Sequence, residues 1–144
     1  MIKSIMLTNQ EIFNYSENLE KAFCEDTRYF PARINFYIQK NAHSLKSAYE
    51  EIEETRNNII LNYGQYDAET SYCTVPQEKI DIVNKEIASL MSLKQETSLY
   101  TLPLSWLDDL DLSFNQMDAL MFMINDDISG QFEDEGVKEE IVYE

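Results

Sequence analysis

The segment PARINFYIQKN, Pro31 to Asn41, determines which fold the sequence predicts. Its arginine, two aromatic residues and several amide or basic residues suggest either a binding motif or the start of a helix with an ordinary buried face. Pro31 fits the first turn of a helix, where its missing N–H would have no intrahelical partner. Because no known chemistry requires these residues at this spacing, we interpret the segment as the start of a helix.

A regular apolar pattern continues this helix. Residues at spacings of four and seven form its expected buried seam: Ile34, Ile38, Leu45, Ile52 and Ile59, with Asn41, Ala48 and Thr55 between them. This spacing is close to the 3.5-residue repeat of packed helix pairs. Gly64 is typical of the position after a helix end. The pattern predicts one helix of about 33 residues, roughly 50 Å long.

Three further helices are predicted from start signals and apolar faces. Thr8 and Glu11 form a capping-box sequence before a helix from about Asn9 to Cys24. Pro76 starts a third helix, which carries an apolar stripe. Ser113 and Gln116 form a second capping-box sequence, which opens a final helix from about residue 114 to residue 125.

Two short segments indicate a small β element. SYCTV, residues 71–75, and TSLYTL, residues 97–102, are expected to pair with each other as two strands. The expected fold class is therefore mainly α, or α+β, with one long central helix, three further helices and a two-strand element. Residues 1–125 are interpreted as a single domain, and residues 126–144 as an acidic tail that is either mobile or an added strand.

Length and composition favour a folded protein. A chain of 144 residues with 44% hydrophobic residues has enough material for one core. It contains no apolar run of the length of a signal peptide or a membrane span. We therefore expect a soluble protein of the cytoplasm that does not bind membranes. Cys24 and Cys73 are expected to remain reduced, since that compartment disfavours disulfides.

The negative charge is concentrated in the last third of the chain. The formal net charge is −16, and residues 96–144 contribute −12 of it, with Lys138 against thirteen acidic residues. Contacts with phosphate groups require lysine and arginine. Direct binding of nucleic acid is therefore not expected, whereas a protein with a basic surface is a suitable partner.

The sequence offers no convincing catalytic, cofactor or metal site. His43 is the only histidine and lies beside the seam, where a boundary residue is more common than a catalytic base. Asp109, Asp111 and Ser113 match the start of a calcium loop, but the sixth and twelfth positions hold Phe114 and Leu120, where glycine and a carboxylate are needed. We therefore expect a protein that is not an enzyme.

The segment SWLDDLDLSF, residues 105–114, has the composition of a recognition edge, an apolar anchor beside a negative rim. The alternative is that Trp106 packs in the core below a solvated turn. The predicted partner-binding residues combine this segment with acids of the tail: Trp106, Asp108, Asp109, Asp111, Asp126, Asp127, Glu133, Asp134 and Glu135. Three basic residues of the long helix either grip an acidic partner or, as we favour, only solubilise it: Arg33, Lys40 and Lys46.

Four motifs together resemble small proteins of unassigned function that are encoded by phages and prophages of low-GC Gram-positive bacteria. The motifs are PARINFYIQKN, EIEETRNNIILNYG, VPQEKIDIVNKEI and MDALMFMI, and the resemblance runs from about Leu7 to Ile124. It implies a phage origin and gives no catalytic residue. Arg33 stands where the resemblance leads us to expect lysine, and the acidic tail lies outside the resemblance.

Two functions of different classes follow as expectations. The first is a non-catalytic binding protein of anti-defence or anti-CRISPR type, which occupies the basic surface of a host defence nuclease or of another nucleic-acid-binding protein. The second is a phage assembly or virion accessory protein that self-associates into a homo-oligomer, because an acidic third and a less charged body allow head-to-tail association.

Overall fold

The computed structural model of the protein describes residues 2–23 and 30–125. These residues form four α-helices and two antiparallel sheets of two strands each. The elements, in chain order, are β1 (Ile2–Thr8), α1 (Asn9–Phe23), α2 (Ala32–Tyr63), β2 (Gln65–Asp67), β3 (Tyr72–Thr74), α3 (Ile80–Ser92), β4 (Lys94–Tyr100) and α4 (Phe114–Leu120). Three 3₁₀ turns accompany them, at Gln77–Lys79, Leu104–Leu107 and Met121–Met123. The mainly helical, α+β prediction is confirmed at this level.

The long central helix is confirmed. Helix α2 has 32 residues, and five positions of the predicted seam are buried: Ile34, Ile38, Asn41, Leu45 and Ile52. Beyond them Thr55 is exposed, so the seam is fully buried only over its first two thirds. Gly64 ends the helix in an extended conformation, with φ of −102°. A Cβ at Gly64 would lie 2.5 Å from Cys73 Sγ and 2.8 Å from the Ile60 carbonyl oxygen, so close approach explains the glycine.

Both predicted capping boxes are formed. The Thr8 N–H donates to Glu11 Oε1 at 2.9 Å, and the Glu11 N–H donates to Thr8 Oγ1 at 3.0 Å. Ser113 and Gln116 exchange the corresponding bonds at 3.0 and 3.1 Å, so Ser113 starts α4 as predicted. Helix α4 itself ends at Leu120 and continues only as a 3₁₀ turn.

The predicted pairing of the strands is wrong. SYCTV contains β3, but β3 pairs with β2, so that Tyr66 faces Cys73. TSLYTL contains the end of β4, which pairs with β1 along the whole length of both strands, from Ile2 opposite Tyr100 to Thr8 opposite Lys94. A short turn lets β2 and β3 pair locally, whereas β1 and β4 meet only when the chain folds. Strand β1 has apolar side chains on both faces, so no alternation indicates it in the sequence.

One apolar core joins these elements. Helix α1 packs against α2, α3 and α4, and β4 packs against α2. The side chains that are 0% exposed include Ile12 of α1, Leu45 of α2, Leu99 of β4, Leu120 of α4 and Met123 of the last 3₁₀ turn. Within the described residues, no helix is both long enough and apolar enough to cross a membrane.

The seam of α2 gives a direct test of the core. Leu45 is 0% exposed and Leu61, on the same helix, is 49% exposed. Replacing Leu45 by alanine should lower the free energy of unfolding by about 2–5 kcal/mol, because it removes buried methyl groups and leaves a cavity. Leu61→Ala should change it by less than about 0.5 kcal/mol. Urea unfolding followed by circular dichroism measures both; equal losses for the two variants would contradict the buried seam.

Candidate protein-interaction surface

The structure brings together four of the residues that the sequence assigns to partner binding. Trp106 lies in the 3₁₀ turn Leu104–Leu107 and is half-buried, whereas Asp108, Asp109 and Asp111 are exposed. Leu107 is buried and fixes this turn to the core. We call Asp108, Asp109 and Asp111 the acidic turn. The other five assigned residues lie outside the described part of the chain: Asp126, Asp127, Glu133, Asp134 and Glu135.

Trp106 lies between the two interpretations of its role. Its ring packs against the ring of Tyr37, with the centroids 5.5 Å apart. The guanidinium carbon of Arg33 lies 3.9 Å from the centroid of the indole, a cation–π contact. Trp106 is therefore neither a freely exposed anchor nor a fully buried core residue. It is a fixed aromatic platform below a cation.

The rings continue from Trp106 along α2. The ring centroids of Tyr37 and Tyr100 are 5.1 Å apart. The rings of Phe36 and Tyr100 form a T-shaped pair, with centroids 5.8 Å apart and an interplanar angle of 88°. The Lys40 ammonium lies 5.7 Å from the ring of Phe36, which is 52% exposed. We call the whole set the basic–aromatic face: Arg33, Phe36, Tyr37, Lys40, Tyr100 and Trp106. On this face two cations meet four exposed or half-exposed rings, two from α2 and two from segments more than fifty residues further along the chain.

The two cations of this face, Arg33 and Lys40, are not neutralised by any carboxylate of the described residues. Within residues 2–23 and 30–125, neither Arg33 nor Lys40 has a carboxylate within ion-pair distance. Arg56, by comparison, pairs with Glu53 at 3.9 Å on the same helix. A guanidinium that stacks on an indole uses its flat face, so its N–H groups remain directed outwards at the edge. The face is therefore suited to a partner that carries carboxylates.

A buried amide positions the face. Asn41 is 0% exposed; its Nδ2 donates to the Tyr100 carbonyl at 2.8 Å, and the Tyr100 N–H donates to its Oδ1 at 2.7 Å. These two bonds fix the end of β4 against α2. Because Tyr100 contacts Phe36 and Tyr37, they also fix the rings of the face. The sequence placed Asn41 in the seam without indicating this role.

A groove between α1 and α2 is a concave site within the described residues. Its volume is about 220 Å³, and it is lined by Ser16, Glu20, Lys46, Tyr49, Glu50 and Glu53. The Tyr49 hydroxyl donates to Glu17 at 3.3 Å. Desolvation and the neighbouring Glu17 carboxylate raise the pKa of Tyr49, so its hydroxyl remains a hydrogen-bond donor at neutral pH. Mixed charges and an open shape are typical of a solvated groove.

The described residues contain no group of three or more histidine, cysteine, aspartate or glutamate side chains arranged to hold a metal ion. His43 is exposed on α2. Comparisons with protein-family models, with curated proteins and with solved structures find no match for the chain. The resemblance to phage and prophage proteins therefore stays a prediction, and the function has to be argued from the residues.

Sequence reasoning missed the basic–aromatic face. Arg33 and Lys40 were interpreted as solubilising side chains, although Arg33, Phe36 and Lys40 are three, four and seven residues apart, which places them on one side of a helix. This spacing was the available signal. The contribution of Tyr100 and Trp106 had no local signal, because both come from segments that are more than fifty residues further along the chain.

The role of Asn41 can be tested with an almost isosteric replacement. Asn41→Leu leaves the N–H and C=O of Tyr100 without partners, and each such buried group costs about 1–3 kcal/mol. The same change at the exposed Asn57 of α2 should have little effect, because solvent already satisfies that side chain. Urea unfolding gives the stability of both variants. The emission of Trp106, the single tryptophan, should shift only in the Asn41 variant; identical behaviour of the two would contradict the positioning role.

Proposed function

We propose that this is a non-catalytic, phage-encoded protein that binds a basic surface of a host protein, with a defence nuclease or another nucleic-acid-binding protein as the partner. The observation that carries the proposal is the acidic turn, whose three aspartates are exposed beside the buried Leu107. Residues 96–125, which include it, contain five acidic side chains and no lysine or arginine. The phage origin rests on the resemblance of the sequence.

The acidic turn has the chemistry of a competitor for nucleic acid. Closely spaced carboxylates present negative charge to a groove that evolved to hold phosphates, and complementary charge raises the rate of association. The turn is held by Leu107 in the core and by the contacts of Trp106 with Arg33 and Tyr37. A surface that is already ordered loses less conformational entropy on binding. The proposal assigns no role to His43 and needs no metal ion.

The acidic turn is tested on the partner that the tagged full-length protein retains from lysate of an infected host. Converting Asp108, Asp109 and Asp111 to asparagine should slow association at least about tenfold at low salt and flatten its salt dependence, because steering by charge is screened when the Debye length falls to about 10 Å near 0.1 M. Glu50→Gln, Glu51→Gln and Glu54→Gln together remove the same charge from exposed positions of α2 and should leave the rate nearly unchanged.

The same experiment tests the kind of partner. DNA or RNA added in excess should compete with the protein for the retained partner, since both would occupy the basic groove. The proposal is wrong if the asparagine variant and the wild type associate at equal rates at low and high salt. It is also wrong if the partner binds the protein and nucleic acid at the same time without loss of affinity for either.

A further inference from the structure

The basic–aromatic face and the acidic turn adjoin each other through Trp106. Arg33 covers the ring of Trp106, and Asp108 follows two residues later, with its N–H bonded to the Ser105 carbonyl at 3.3 Å. Asp108 and Asp109 are exposed and lie two and three residues beyond Trp106, so their Cα atoms are within about 7 and 11 Å of its Cα and they border the face. The surface is thus divided into a half that carries Arg33 and Lys40 and a half that carries two aspartates.

We propose that two copies of the chain associate through this divided surface as a two-fold symmetric dimer. In a two-fold interface the same patch is used by both copies, and every contact occurs twice. Rotation by 180° places the half with Arg33 and Lys40 of one copy on the half with Asp108 and Asp109 of the other. Each basic half then faces an acidic half of the other copy, and both copies use only residues that the structure describes.

Because Arg33 and Lys40 have no ion-pair partner in the described part of the chain, they favour an occupant that carries carboxylates. In the dimer, the Arg33 guanidinium of one copy faces the carboxylate of Asp108 or Asp109 of the other copy. Arginine can bind a carboxylate through two parallel hydrogen bonds. Single-stranded nucleic acid would find rings for stacking, but its phosphates would be repelled by the adjoining aspartates and by the net charge of −16.

The dimer is expected to be weak and sensitive to salt. Phe36, which lies between Arg33 and Lys40 on α2, is 52% exposed and supplies the main apolar contact of the interface. Few residues are involved, and small interfaces of this kind support micromolar rather than nanomolar affinity. Two chains of high negative charge also repel each other over long distances, but at roughly 0.15 M salt this repulsion is screened beyond about 8 Å, while the contacts within the interface are affected less.

The dimer does not depend on the proposed function, because it needs no other molecule. It has a consequence for that function, since Asp108 and Asp109 belong to both surfaces. A copy in the dimer cannot offer these aspartates to a basic partner, so binding of that partner and dimer formation exclude each other. Because the dimer experiment uses the chain alone, its failure can be distinguished from the failure of the partner experiment.

Charge reversal in the full-length chain tests the dimer. Sedimentation velocity at roughly 0.15 M salt and micromolar protein should detect a species of twice 16.9 kDa that dissociates on dilution. Reversing one half, by Arg33→Glu with Lys40→Glu, or the other, by Asp108→Lys with Asp109→Lys, should weaken the dimer at least about tenfold, because like charges then face each other twice. Mixing the two reversed variants should restore a one-to-one dimer, since both pairs of halves become complementary again.

A matched control and a milder variant accompany the reversals. Lys79→Glu with Lys85→Glu makes the same charge change as the Arg33 and Lys40 reversal, at exposed positions outside the divided surface, and should leave the dimer intact. Where circular dichroism shows that a reversed variant is unfolded, Phe36→Ala replaces it and should also weaken the dimer. The proposal is overturned if the wild type stays monomeric or forms a larger assembly, or if the reversals leave the dimer unchanged. It is also overturned if the mixture of reversed variants stays monomeric, or if single-stranded DNA quenches Trp106 emission saturably.

Discussion

The two hydrogen bonds between the Asn41 side chain and the Tyr100 backbone are the interaction on which the placement of the β1–β4 sheet depends. A side-chain amide carries one donor group and one acceptor, as a peptide group does, so Asn41 binds the edge of β4 in the way that a neighbouring strand would. Because Asn41 is fully buried, neither bond competes with water, and the loss of either would leave a costly unpaired group. The amide thereby fixes where the end of β4 crosses α2.

A second amide acts at the opposite end of the same sheet. The Asn9 side chain donates to the Leu90 carbonyl at 2.8 Å and accepts from the Gln95 amide at 2.8 Å, while the Asn9 N–H donates to the Leu93 carbonyl at 2.8 Å. An isolated pair of strands is only marginally stable in water. Here the pair is held at both ends by buried asparagines that belong to α1 and α2, so the helices determine the position of the sheet.

The difference between local and long-range contacts explains how much of the fold the sequence could predict. Helix starts and the seam of α2 depend on residues that are close in the chain, and Thr8, Ser113 and Leu45 all occupy the expected positions. The sequence located β3 and the end of β4 but neither β1 nor β2, so it missed both pairings; the β1–β4 pairing depends on contacts between distant segments. The acidic turn was visible as composition. The basic–aromatic face was not, because only folding brings Trp106 onto Arg33.

Arg33 is the residue at which the fold and the proposed contacts meet, and it is also where the chain departs from the lysine that the resemblance leads us to expect. A lysine ammonium is a compact, strongly hydrated charge, and it cannot lie flat on an indole while offering two N–H groups in a fixed fork. The guanidinium of Arg33 can do both: its central carbon lies 3.9 Å from the centroid of Trp106, and Arg33 forms no ion pair within the described residues. The arginine therefore gives this surface of α2 a group suited to carboxylates, close in the fold to the segment that carries the exposed Asp108 and Asp109.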